Sequence, residues 1–215
     1  TVPLGTDPGP FKVQVTLDRL NLHRCDADDP QTMTPKTLQT PATQVNAITV
    51  LPGPVVYAVG NGGAVRRWTP QQGFTKITQD IPADLYGVFG FDEDKGNLWI
   101  VGDGVVLKSQ HGGFVREPGL SGLTNTKLRG IDGSNGKVWV VGSMGTVLMN
   151  NGGTWTRLTL PAGSPNLRAV RATAQLVLVA GDGGVVLKSD PMTSSFTPVT
   201  GFDAGVNLTA IAARG

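Results

Sequence analysis

An all-β fold, a five-bladed β-propeller of four-stranded antiparallel blades, is predicted by three observations. A glycine closing an apolar run recurs at Gly60, Gly102, Gly142 and Gly181, at spacings of 42, 40 and 39 residues. A second marker, apolar-x-small-apolar, recurs as VNAI (45–48), LYGV (85–88), LRGI (128–131), LRAV (167–170) and LTAI (208–211). Its final residues lie 40, 43, 39 and 41 apart. Thirdly, each period holds four short apolar runs divided by turn signals, as LRGID, KVWVV, TVLMN and TWTRL are divided by GSNG, GSMG and NGG. Two unrelated markers sharing one period define a repeat architecture, and four antiparallel strands per repeat of this length make a propeller blade.

The elements follow in order. Residues 1–10, TVPLGTDPGP, read as a Pro/Gly linker without the charged and apolar regions of an export signal. Residues 11–215 read as a single propeller domain, with repeats at about 45–84, 85–127, 128–166 and 167–206. In each, Asn-Gly, Asp-Gly and Gly-Gly pairs supply the positive φ that hairpin turns demand. The second strand (VVYAV, LWIV, VWVV, LVLV) is apolar on both faces, as expected of a sheet covered above and below. The innermost strand carries Ala47, Gly87, Gly130, Ala169 and Ala210 at one position, where convergence on an axis leaves little room. The outermost strand begins with Phe74, Phe114, Trp155 and Phe196, expected to cap the seams between blades. The last innermost motif, LTAI, has no strands after it, while residues 11–44 (FKVQVTL, LNLHRC, KTLQT) have strands but no innermost motif. Residues 11–44 and 207–215 are therefore expected to share the closing blade, which would abolish exposed sheet edges.

Composition excludes several function classes. The net charge of +2 is too small for the basic stripe of a nucleic-acid binder. No apolar run approaches the roughly 20 residues of a membrane span. Cys25 is the only cysteine, so no internal disulfide forms, and with His23 it falls short of a zinc ligand set. The chain has only two tyrosines and two glutamates, Glu93 and Glu117, and no GxSxG elbow. Convergent catalytic groups are thus not expected, and no enzyme activity or cofactor is assigned.

The stretch VWVVGSMGTVLMNNGGTWTRL, with the LRAV that follows, resembles the repeats of the photosystem II assembly/stability factor family of propellers. Its NNGGTW portion is related to the BNR/Asp-box, though SQHGGF and NNGGTW lack the aspartate and SDPMTSSF lacks the glycines. The resemblance covers residues 45–213. It implies a non-enzymatic scaffold or assembly factor in an extracytoplasmic setting (periplasmic, cell-surface or secreted), which presents an arginine-rich patch to a protein partner. Arg129 and Arg168 match that patch, with Arg171 beside them; the equivalent residues elsewhere are Asn46, Tyr86 and Thr209. A monomer is expected.

Two further surfaces are candidates. Arg66 and Trp68 share a strand face and pair a cation with an aromatic ring, a combination suited to a glycan or an anionic peptide. A lectin-like propeller is accordingly the alternative to protein binding, with a glycoside hydrolase behind it for want of paired carboxylates. In FDEDKGN, Asp92, Asp94 and Gly96 are spaced like the start of a calcium loop, but no later carboxylate follows, so a solvated hairpin is expected.

Overall fold

The computed structural model describes residues 21–23, 35–37, 44–77, 81–93, 95–160, 165–190 and 195–213. The chain divides into two compact units, Thr1–Ala42 and Thr43–Gly215. In the first, the described residues form one short antiparallel ladder of Asn21–His23 (β1) with Pro35–Thr37 (β2). The FKVQVTL segment and Cys25 lie outside the described residues.

The second unit holds four four-stranded antiparallel sheets in which sequence order is spatial order. The first sheet comprises Val45–Leu51 (β3), Val55–Gly60 (β4), Val65–Thr69 (β5) and Gly73–Ile77 (β6). The second comprises Leu85–Asp92 (β7), Asn97–Gly102 (β8), Val105–Gln110 (β9) and Gly113–Arg116 (β10). Leu128–Ser134 (β11), Lys137–Gly142 (β12), Thr146–Asn151 (β13) and Thr154–Leu158 (β14) make the third. Leu167–Ala172 (β15), Val177–Gly181 (β16), Val186–Ser189 (β17) and Phe196–Pro198 (β18) make the fourth. The first strands β3, β7, β11 and β15 are neighbours in that order.

Packing occurs between consecutive sheets. One apolar cluster joins Tyr57, Val59 and Val65 to Leu85, Ile100 and Leu107; a second joins Trp99, Val101 and Val106 to Leu128, Val138 and Leu148. A third joins Trp139, Val141 and Val147 to Leu167, Val179 and Leu187. This is why the second strands carry apolar residues on both faces. Leu85, Leu128 and Leu167 are fully buried, each contributing about 2–3 kcal/mol by area. The aromatic starts of the outer strands behave as expected in three seams. Phe114 meets Tyr57 edge-on at 6.1 Å, Trp155 packs on the second cluster, and Phe196 is buried in the third. Phe74 instead packs beside Trp68 within its own sheet, ring centroids 6.5 Å apart.

The two repeat markers have steric causes. A Cβ on Gly60, Gly102, Gly142 or Gly181 would collide with the carbonyl oxygen of Gln44, Asp84, Lys127 or Asn166, respectively. Each glycine faces the residue that enters its sheet's first strand, where the backbones touch. A Cβ on Gly130 would lie 2.9 Å from Val141 Cγ2 and 3.1 Å from the Arg168 oxygen of the neighbouring first strand. The small residue is therefore a condition of first strands converging.

Residues 207–213 form no strand among the described residues, and FKVQVTL, the segment expected beside them, lies outside those residues. A strand needs a ladder partner, and none of the described segments supplies one. Their place is nonetheless marked. The turn after β16 grips them as the turn after β12 grips the entry to β15: Met144 N and Gly145 N donate to Asn166 Oδ1 (3.1 Å) and Pro165 O (3.0 Å). Gly183 N and Gly184 N donate to Asn207 Oδ1 (3.1 Å) and Val206 O (2.5 Å).

Candidate functional site

The first strands of all four sheets share an irregularity near their start. Register against the second strand shifts between Val45 and Ala47, Leu85 and Gly87, Leu128 and Gly130, and Leu167 and Ala169. The residue passed over each time is Asn46, Tyr86, Arg129 or Arg168. A β-bulge leaves such a residue unpaired in the ladder and re-aims its side chain. All four bulges lie at the end of the sheets that also carries the turns 61–64, 103–104, 143–145 and 182–184.

Asn46 spends its amide on structure, donating to Asn61 Oδ1 at 2.7 Å and to Leu85 O at 2.8 Å across to the next first strand. Tyr86 becomes a platform. The Arg129 guanidinium lies over its ring at 5.3 Å and Lys127 Nζ at 5.8 Å, each within cation–π range. Tyr86 OH donates to Asp103 Oδ2 at 3.2 Å, and Lys127 lies 4.0 Å from Asp103 Oδ1. Burial and the Asp103 charge hold the Tyr86 phenol above its usual pKa, so it stays neutral.

Arg168 is paired. Its Nε donates to Asp182 Oδ1, and Asn166 Nδ2 donates to Asp182 Oδ2 at 3.2 Å. The Arg168 hydrogen bond lowers the Asp182 pKa, with lesser help from Asn166 and from the more distant charge of Arg129. Arg168 thus holds a carboxylate whose charge Arg129 also favours. Among the described residues, then, the Arg129 guanidinium lies over an aromatic ring with no carboxylate bonded to it, chemistry able to take an anionic group.

The other sequence candidates are placed elsewhere. Arg171 lies three residues along β15, opposite Leu178, and is committed to packing: its Nη1 donates to Asp132 Oδ2 at 3.2 Å. Asp132, buried in β11, also accepts from Ala172 N at 2.8 Å and so ties two first strands together. Arg66 and Trp68 sit on the third strand of the first sheet, with Trp68 half-buried on Phe74, and do not join the bulged cluster. Asp92 pairs with Lys95 at 3.2 Å, while Asp94 lies outside the described residues. Glu93, between them, turns away to bond Arg67 and Tyr57 of the first sheet. Among the described residues no group of three or more His, Cys, Asp or Glu could hold a metal ion, and no helix is long and apolar enough to cross a membrane.

Sequence reasoning placed Tyr86 at the repeat position of the two arginines but gave it no role, and it missed Lys127, Asp103 and Asp182 as members of this cluster. Lys127 precedes the first strand, and Asp103 and Asp182 follow the repeat glycine, so aligning the repeats would have brought them together.

No family model matches the chain, and no curated protein does. Solved structures do. A catalytically inactive virginiamycin B lyase from Staphylococcus aureus with quinupristin matches at TM-score 0.72 and 13% identity, over 83% of this chain and 63% of that one. An ancestral GH74 enzyme matches at TM-score 0.61 and 16% identity, over 74% and 24%. YCF48 bound to D1 peptide matches at TM-score 0.58 and 17% identity, over 75% and 56%. The chain spans less than two thirds of each of these. Shared architecture at such identities concerns the backbone and not the chemistry, and it agrees with the four consecutive four-stranded antiparallel sheets: the fold is of the β-propeller type.

Proposed function

We propose that this protein is a non-enzymatic, extracytoplasmic binding scaffold that holds an anionic segment of a protein partner against the bulged end of its first strands. Arg129 is the principal contact, Tyr86 its platform, and Arg168 with Asp182 the adjoining polar wall. The observation that carries this reading is the repeated bulge: it re-aims one residue per sheet, and where that residue is Arg129 no described carboxylate satisfies it. A propeller of the same architecture, YCF48, was solved with a peptide bound, which supports a peptide as ligand. The test is capture of the natural partner by the purified protein and by R129E/R168E. Loss of capture with unchanged far-ultraviolet dichroism supports the site, and undiminished capture removes it.

The ring is further proposed to close at five blades, with 207–213 as innermost strand and FKVQVTL (11–17) as its neighbour. What supports this is the grip on Val206 and Asn207, together with half-exposed Leu208 where Leu85, Leu128 and Leu167 are fully buried. V13D/V15D should then lower the melting temperature of the main unit, read from its tryptophan fluorescence. An unchanged transition would refute closure by that segment.

A further inference from the structure

The third turn at the bulged end breaks the pattern of the other three. Its left-handed position is Gly62 (φ 62°), Gly104 (φ 63°) and Gly183 (φ 68°) in the first, second and fourth sheets. In the third it is Met144, at φ 55°. A side chain there meets a steric cost that glycine avoids. That cost is not repaid by packing, because Met144 is 62% exposed and belongs to none of the apolar clusters.

Met144 is also wired into the charged cluster. Its N–H donates to Asn166 Oδ1, and Asn166 bonds the Asp182 carboxylate that Arg168 holds. On the other side of Asp182, Gly183 and Gly184 grip Asn207 and Val206, in a loop whose Phe202 and Val206 are each 50% exposed. Among the described residues five large apolar side chains are exposed, and three of them, Met144, Phe202 and Val206, stand in segments bonded to this end. A central cation with exposed apolar flanks, Met and Arg together, is the composition of a docking surface rather than of general protein surface. Met adapts to partners of varied shape because its unbranched side chain repacks easily.

We infer that the partner is a peptide segment joining an acidic residue to a nearby large apolar one: the carboxylate meets Arg129 and the apolar side chain seats on Met144, with Phe202 and Val206 extending the contact. This rests on the preceding reading of the bulged end and adds the apolar half of the recognition.

A selection experiment tests this without the natural partner in hand. A random twelve-residue displayed peptide library is selected against the full chain, and the enriched peptides are titrated by fluorescence polarisation against variants. Enriched sequences should carry Asp or Glu within three positions of Leu, Ile, Met or Phe. M144G should melt higher than the parent protein yet bind these peptides at least fivefold more weakly, two effects of opposite benefit that a merely structural residue would not show. F202S/V206S should weaken binding severalfold with little change in melting. Enrichment of acidic peptides without apolar neighbours, full affinity in M144G, or failure to enrich any peptide overturns the inference. If R129A/R168A abolishes binding while M144G does not, the arginine site stands and the apolar anchor falls; sensitivity to M144G alone upholds the anchor and removes the arginine site.

Discussion

Arg67 grips Glu93 with two parallel hydrogen bonds, Nε to Oε2 at 2.9 Å and Nη2 to Oε1 at 2.5 Å, across the seam between the first and second sheets. Tyr57 OH donates a third at 2.6 Å. Chiefly through the Arg67 bonds, the Glu93 carboxyl is held below its ordinary pKa. An acid with a depressed folded pKa adds stability that is complete above its unfolded pKa, about 4.3, and is lost as pH falls through the folded value. E93Q should cost about 2 kcal/mol at pH 7, the scale of hydrogen bonds to a charged group. The gap in melting temperature between the two proteins should narrow as the pH is taken from 7 to 3. A gap that stays constant would show that the carboxylate's charge is irrelevant to the seam.

Burial, followed by the Glu93 hydrogen bond and charge, raises the Tyr57 phenol well above its usual pKa, so it remains a donor at every working pH. Y57F removes that donor but leaves Arg67 on both carboxylate oxygens. The expected loss is about 1 kcal/mol, smaller than for E93Q, by chemical denaturation. An equal or larger loss would mean that the phenol, rather than the guanidinium, holds the seam.

The repeat glycine should resist the smallest substitution. In G142A the new Cβ collides with Lys127 O and lies 3.0 Å from Leu128 Cα, backbone atoms that cannot rotate away. The expected cost is about 3 kcal/mol or more. G152A, where a Cβ meets open space at φ 59°, should cost only about 1 kcal/mol, from the left-handed backbone. Comparable losses in the two variants would contradict the steric account of the repeat.

Asn166 and Asn207 accept from the preceding sheet's turn at the same distance, 3.1 Å. N166A and N207A should each lose about 1 kcal/mol or less, the net worth of an exposed hydrogen bond whose N–H donor water can re-solvate. A silent N207A would show that the grip on the C-terminal segment contributes nothing to folding.

The period, the four strands per unit and their order in each sheet were legible from residue types alone. Local steric demands repeat with the chain: a glycine where backbones touch, a small residue where first strands converge, Gly-rich turns between apolar runs. Arg129 and Arg168 were likewise visible as residues following the apolar start of the repeat motif. Which of them is available was not, because that depends on Asp182, 14 residues beyond Arg168 and separated from it by a hairpin. Arg171 looked like their companion in the sequence, but the carboxylate that engages it is Asp132 on the preceding first strand, 39 residues away. Sequence by itself determined the repeating unit, because a unit answers to short-range sterics. Only the tertiary structure decided which charges are spent and which face outward, because the partners meet only once a hairpin has paired, as for Arg168 and Asp182, or once neighbouring sheets have stacked, as for Arg171 and Asp132.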